Sequence, residues 1–191
     1  DSVFIDYTPV MDNTNKSFVV RQYQGIEEIQ ITQTGSGYNE DIPETGDTLE
    51  ANAFQKAHYI KDNFNYDCFA DDTGLEIDEL NGSPGVYSAR YAGKNCSYKD
   101  NVLKLLTEME GMKNRKAVFR TVLALVNLVG EVRTIEGVCK GTIALSESGS
   151  GGFGYDPIFI PNGYNCSFAD LDLKEKNKIS HRGQALEEAI R

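Results

Sequence analysis

No apolar run in the sequence approaches the roughly 18 residues a membrane helix requires, so no membrane partner is expected. Cations are scarce. The 19 Lys plus Arg stand against 29 Asp plus Glu, a formal charge of 19 − 29 = −10 with both histidines neutral. A general nucleic-acid binder needs a broad basic face for phosphate contacts, which this balance does not supply. Histidine and cysteine are also few: His58 and His181, and Cys68, Cys96, Cys139 and Cys166, with no C-x-x-C pair. Such spacing does not build a zinc cluster. Cysteines so scattered read as buried free thiols of a reducing compartment, although spacing alone leaves disulfides open. No G-x-S-x-G elbow occurs and no G-K-[ST] follows a glycine run, which removes the serine-hydrolase and P-loop readings. Asp1-Ser2-Val3-Phe4 lacks the basic and long apolar regions of a signal peptide. A cytoplasmic location is expected.

What is present is an ordinary globular composition, 40% hydrophobic and 25% charged over 191 residues, long enough to bury one good core. There is no internal repeat and no linker-like stretch, so residues 1–191 are expected to form one domain. Short β-type runs stand at Val3–Ile5, Ile26–Ile31, Asp67–Ala70 and Leu75–Leu80. From Thr48 to Phe64 the apolar residues Leu49, Ala53, Ala57, Ile60 and Phe64 recur at helical spacing, with Asp47 and Glu50 in capping-box positions. A second helix is expected over about Tyr98 to Met109. Ala117 to Val129 is apolar almost throughout and predicts a strand covered on both faces. Gly130-Glu131 fits a two-residue hairpin turn into a return strand from Val132 towards Leu145, and a last helix follows His181-Arg182. Together these elements predict an α/β fold with a mixed sheet.

Three segments offer chemistry. Asp71-Asp72-Thr73-Gly74-Leu75-Glu76 follows an apolar strand. It reads either as a carboxylate pair for a divalent ion, which takes one or two carboxylates and keeps waters and phosphates, or as a solvated turn. Gly149-Ser150-Gly151-Gly152-Phe153-Gly154 matches G-x-G-x-x-G. No helix begins at those glycines, because Tyr155-Asp156-Pro157 and an apolar run follow, so the dinucleotide fingerprint is rejected. A flexible loop leading to an aromatic and a carboxylate remains. Lys174 to Arg182 is the one dense group of cations; its plain reading is a solvated loop with Ser180 capping the last helix.

Asp71-Asp72-Thr73-Gly74-Leu75, Gly82-Ser83-Pro84-Gly85-Val86-Tyr87-Ser88-Ala89-Arg90-Tyr91, Phe153-Gly154-Tyr155-Asp156-Pro157 and Ser180-His181-Arg182-Gly183-Gln184-Ala185-Leu186 resemble, in order and spacing, the inosine/xanthosine triphosphate pyrophosphatase family. The likeness runs from about Asp41 to the C-terminus. It implies a strongly twisted sheet flanked by helices, in two lobes with the site in the cleft between them. It also implies a Mg²⁺-dependent homodimer that cleaves non-canonical purine nucleoside triphosphates (ITP, dITP, XTP) to the monophosphate and pyrophosphate. By the resemblance, Asp72 is proton acceptor and metal ligand, Glu44 a second metal ligand, and Thr73 a substrate contact. Phe153, Gly154, Tyr155 and Asp156 form the base loop, with Phe153 the stacking ring, and Lys176, His181 and Arg182 hold the base and nearby phosphate.

The N-terminal part departs from the family's T-x-N-x-x-K phosphate loop. In Met11-Asp12-Asn13-Thr14-Asn15-Lys16, Asn13 and Lys16 fit the spacing, whereas Met11 and Val19 do not. Anchoring on Val3-Phe4-Ile5 instead would place Thr8 at the threonine and leave no lysine. Two other functions stay open: a nucleotide-binding module that has lost catalysis, motivated by that irregular segment, and a pyrophosphatase for other modified nucleotides, against which the Phe153–Asp156 loop speaks.

Overall fold

The computed structural model describes residues 18–19, 32–33, 44–64, 68–127 and 131–190. The runs at Val3–Ile5 and Ile26–Ile31, together with Thr8, Asn13 and Lys16, lie outside them. In chain order come β1 (Phe18–Val19), β2 (Thr32–Gln33), α1 (Leu49–Phe64), β3 (Cys68–Ile77), β4 (Pro84–Gly85), α2 (Tyr98–Glu108), β5 (Lys116–Val126), β6 (Val132–Ile143), β7 (Phe159–Pro161), α3 (Leu173–Ile179) and α4 (His181–Ile190).

The α/β expectation holds: a sheet of order β2-β1-β3-β5-β6-β7, with β4 also on β3, is flanked by helices. Every described strand pair is antiparallel, however, rather than mixed. As predicted, β5 is central and covered on both faces. Side chains alternate along a strand, so Val122, Ala124 and Val126 meet Leu49, Ala53, Ala57 and Ile60 of α1. Leu123 points the other way, to Phe69, Ile135 and Ala185 of α4. On that second face Phe119, Leu75 and Ile77 join Val102, Leu105 and Met109 of α2 and Phe159 and Phe168 in the largest core. The contacting positions of α1, Ala53 and Ala57, are fully buried; their small side chains let the helix axis lie close to the sheet.

Several boundaries differ from the sequence reading, each for a local reason. Asp71 to Glu76 is not a turn: β3 runs unbroken through it and pairs with β5 from Cys68↔Val126 to Ile77↔Ala117. Neighbouring strands supply the ladder that Asp and Gly disfavour locally. Between β5 and β6 the last pair is Val126↔Val132, and the Asn127 N–H donates to the Glu131 carbonyl at 3.1 Å, so Glu131 pairs with Asn127 instead of standing in the turn; Gly130 lies outside the described residues. The α1 cap is Thr48, whose Oγ1 accepts from the Ala51 N–H at 3.1 Å. Glu50 is not in a capping box; it accepts from Arg120 at 2.7 Å. Lys174 to Lys178 belongs to α3, capped by Asp172, and Ser180 separates α3 from α4. Of the cysteines, Cys139 is a buried free thiol with its pKa pushed up to about 11 by burial, while Cys96 and Cys166 are free but partly exposed. No helix among the described residues is long and apolar enough to cross a membrane.

One glycine fixes where α4 begins. A Cβ on Gly137 of β6 would collide with the His181 carbonyl. Its absence lets the first turn of α4, with His181 and Arg182, lie directly on the sheet.

Candidate functional site

Asp71 and Asp72 are neighbours in β3 and therefore point to opposite faces of the sheet. This corrects their reading as a joint carboxylate pair for one ion. Asp72 faces α1, where Asn52 and Lys56 stand one turn apart on the buried side. Lys56 Nζ donates to Asp72 Oδ1 at 3.0 Å and to Glu44 Oε1 at 2.9 Å, and Asn52 Nδ2 donates to Asp72 Oδ2 at 3.1 Å. The Gly46 N–H donates to Asn52 Oδ1 at 2.8 Å, which ties the Glu44 segment to the same helix. Arg90 Nη1 stands 3.6 Å from the other Glu44 oxygen.

Burial pushes Asp72 above the ordinary carboxylate range, against the lowering effect of Lys56 and Asn52. Burial also works against the charged form of Lys56. The carboxylates of Asp72, Asp71 and Glu44 outweigh it and raise that pKa. The result is one ammonium shared among several acids, in a place that favours a further positive charge. Two hard oxygen donors, Glu44 and Asp72, already converge on a cation, and a magnesium-like ion takes one or two carboxylates, with waters and phosphate oxygens completing its shell. No group of three His, Cys, Asp or Glu side chains suited to a metal occurs among the described residues.

On the other face, Asp71 Oδ2 accepts from Arg182 Nε at 3.0 Å and from Thr73 Oγ1 at 3.2 Å. Burial alone would raise the Asp71 pKa, but Arg182 and then Lys56 hold it below the usual range. Thr73 and Thr121 hydroxyls lie 2.7 Å apart across the β3–β5 pair, and Thr121 also donates to the Asp72 carbonyl at 3.2 Å. Thr73 is thus committed to holding the strand pair and Asp71.

Beside this face the glycine-rich loop is pinned rather than free. The Gly151 N–H donates to the Ala169 carbonyl at 3.1 Å, and Ser148 Oγ to Asp170 at 2.7 Å. As expected, no helix starts there; a single turn at Asp156–Ile158 leads into β7. Gly152 has φ +73°, and a Cβ on it would overlap the Asp156 carboxylate. That close approach lets Asp156 Oδ2 accept from the Phe153 N–H at 2.7 Å and from Lys176 Nζ at 2.5 Å. Asp156 is buried, yet Phe153 is 41% exposed. Lys176 Nζ lies 5.1 Å and the Arg182 guanidinium 5.4 Å from the centre of the Phe153 ring. Gly154, at φ +61°, has open space around it. Tyr155 turns into the core and its hydroxyl donates to the Ser88 carbonyl at 2.9 Å, with burial raising its pKa; it anchors the loop from below.

His181 is buried and stacked on Phe119, ring centres 4.7 Å apart. Burial, with Arg182 and Lys176 adding positive charge nearby, drives its pKa well below the ordinary value, so the ring is neutral. Its Nδ1 has no hydrogen-bond partner among the described residues. A buried polar atom in that state is costly, and a ligand could satisfy it.

The structure thus brings Glu44 and Asp72 together on one face of the sheet, and Phe153, Asp156, Lys176, His181 and Arg182 on the other. Arg182, bonded to Asp71 and lying over Phe153, ties the second group to β3 at the residue next to Asp72. Sequence reasoning missed Lys56 and Asn52. Their signal was two polar residues bordering the apolar stripe of α1, where a solvated position would have been the ordinary reading.

With this geometry in view, the chain compares closely with known proteins. The dITP/XTP pyrophosphatase of Christiangramia forsetii is 48% identical over 188 residues, covering 98% of this chain and 96% of its own length. That of Flavobacterium johnsoniae is 54% identical over 151 residues, 79% of this chain and 78% of the relative. The solved structure of the Staphylococcus aureus Ham1 protein aligns with a TM-score of 0.75 at 40% identity, over 79% of each chain. A nucleoside-triphosphatase / dITP/XTP pyrophosphatase from Mycobacterium abscessus aligns at 0.70 and 41% identity, over 82% of this chain and 84% of that one. Residues 10–191 match the Ham1 family, and on a match of that extent the chain belongs to it.

Proposed function

We propose that this protein is a Mg²⁺-dependent nucleoside triphosphate pyrophosphatase. Its substrates are non-canonical purine nucleotides, ITP, dITP and XTP, which it converts to the monophosphate and pyrophosphate and so removes from the nucleotide pool. The observation that carries the reading is Arg182, which connects the Asp71–Asp72 stretch of β3 to the exposed Phe153 ring. Through the adjacent Asp71 and Asp72, an acid cluster suited to phosphate chemistry and an aromatic platform suited to a base are held by one short stretch of one strand.

A triphosphate carries about four negative charges, which must be offset before water can approach phosphorus. Glu44 and Asp72 would hold the divalent ion, which neutralises phosphate charge and makes water more acidic. Asp72, its basicity raised by burial, accepts the proton of the attacking water. Lys56 fixes both carboxylates and supplies a buried positive charge beside them. Asn13 and Lys16 are assigned to the phosphate tail. Phe153 stacks on the base. Lys176 has three N–H donors, one of them used on Asp156, which leaves donors for the 6-keto oxygen of hypoxanthine or xanthine. Adenine presents a 6-amino donor there, and the mismatch leaves buried groups unpaired, which discriminates by orders of magnitude.

Residues 1–191 act as a single domain, two lobes enclosing the site, and the protein works as a cytoplasmic homodimer. The test is incubation with Mg²⁺ and dITP, XTP, ATP or GTP, with product identification. Pyrophosphate release from dITP and XTP, and little from ATP, is the expected result. Orthophosphate release would overturn cleavage between the α and β phosphates, and tight binding without turnover would favour a non-catalytic nucleotide-binding module.

A further inference from the structure

We propose that Tyr98 forms a second wall of the base-binding site, making an inclined contact with the bound purine while Phe153 takes its face. The proposal rests on the assignment of Phe153 as the base platform. Tyr98 and Phe153 are 46% and 41% exposed, in a protein whose other aromatic rings near the loop, Tyr155, Phe159 and Phe168, are buried. The two exposed rings stand next to each other, centres 6.3 Å apart and planes inclined by 50°. Planes so inclined cannot both lie flat against one planar ligand, so with a purine stacked on Phe153 the contact left to Tyr98 is an inclined one. Contact between inclined rings, edge to face, is a favoured aromatic geometry.

The backbone that carries Tyr98 is held in place. Tyr98 occupies the first position of α2, whose start is fixed by a reciprocal Ser97–Asp100 capping box. Asn101 of the same turn donates to the Ala89 carbonyl at 3.1 Å and accepts from the Ala92 N–H at 2.7 Å. The base loop is tied to the same stretch of chain, since the Tyr155 hydroxyl donates to the Ser88 carbonyl. The 88–92 segment therefore ties together the stretches of backbone that carry the two rings, as a preorganised pocket requires. The Tyr98 hydroxyl has no hydrogen-bond partner among the described residues, and it is free to meet polar atoms of a ligand.

The test measures equilibrium binding of deoxyinosine monophosphate and of inorganic tripolyphosphate to the wild type and to the Tyr98→Ala, Tyr98→Phe, Phe153→Ala and Tyr98→Ala/Phe153→Ala variants. Tyr98→Ala should weaken deoxyinosine monophosphate binding about fivefold, within the range of one aromatic contact, and leave tripolyphosphate binding unchanged. Tyr98→Phe should retain most of the affinity. If Tyr98 touches the base itself, its removal must still weaken nucleotide binding when Phe153 is already absent. Loss confined to the Phe153-containing background would make Tyr98 a mere backing for that ring and overturn the proposal. Equal losses for both ligands, or none, would overturn it as well. If the wild type fails to bind deoxyinosine monophosphate, the base-platform assignment falls with it. If the wild type binds and Tyr98→Ala binds equally well, only Tyr98 is wrongly assigned.

Discussion

The two ends of the site solve opposite problems. Around Asp72 every described charge is answered: Lys56 serves Glu44 and Asp72 together, and Asn52 takes the remaining Asp72 oxygen. Around Phe153 the supports are equally firm, with Asp156 gripping Lys176 and the loop backbone, but the ring itself is left exposed, and the buried His181 Nδ1 beneath has no hydrogen-bond partner among the described residues. On the proposed assignment the phosphate end would exchange existing partners when its ligand arrives, whereas the Phe153 ring would gain one. Rearrangement is tolerable where a metal and a polyanion bring large electrostatic energies. A neutral base brings little, so its pocket has to be ready in advance.

That contrast can be broken at either end. Asp72→Asn should fold normally and lose roughly 10²- to 10⁴-fold in kcat, the range for removing a general base, as measured by pyrophosphate release. Near-wild-type turnover would remove Asp72 from the mechanism. Lys56→Met leaves two largely buried carboxylates facing each other without their shared ammonium and should lower stability by about 3 kcal/mol, read from urea unfolding. Added Mg²⁺ should restore part of that loss, since a cation can replace the missing charge; no recovery would argue against Glu44 and Asp72 as the metal ligands.

At the open end the effects should be smaller and confined to binding. Phe153→Ala should raise KM for dITP by about tenfold, within the range for one base–aromatic stack, with the unfolding midpoint unchanged because the ring is exposed. A drop in kcat at constant KM would place Phe153 outside the base contact. The smallest effect concerns pH. His181 is held neutral, its folded pKa depressed below the unfolded value of about 6.5. The unfolded chain therefore binds the proton first, and stability that is full above about pH 6.5 is lost as pH falls below it. His181→Phe should flatten that acid limb in urea unfolding at pH 7.5 and 5.5; an unchanged slope would mean that the histidine titrates freely.

The same division explains what could be read from the sequence. The stripe of α1 and the doubly covered β5 announce themselves through local pattern, because Leu49, Ala53 and Ala57 recur at helical spacing and Val122 to Val126 is apolar without a break; the Phe153–Asp156 loop was legible as a base loop only through the family resemblance. The unbroken β3 does not, since Asp-Asp-Thr-Gly has the composition of a turn and only pairing with β5 makes it a strand. Nor does α3, whose Lys174 to Lys178 run looks like solvated loop until Asp172 caps it. Lys56 was invisible for a different reason. A lysine beside an apolar stripe normally reaches water, and it turns inward here because acids distant in sequence, Glu44 and Asp72, wait for it. Tertiary charge pairing leaves no local trace.

Alternation along β3 has one more consequence, for how this protein can change. Asp71 and Asp72 are the same chemical group, and only the parity of their positions assigns one to Arg182 and the other to Lys56. Inserting or deleting one residue in the strand before them would turn each acid to the opposite face, and every later side chain of the strand with it. The site is guarded against such slips less by the identity of its acids than by the counting of residues in the ladder that carries them.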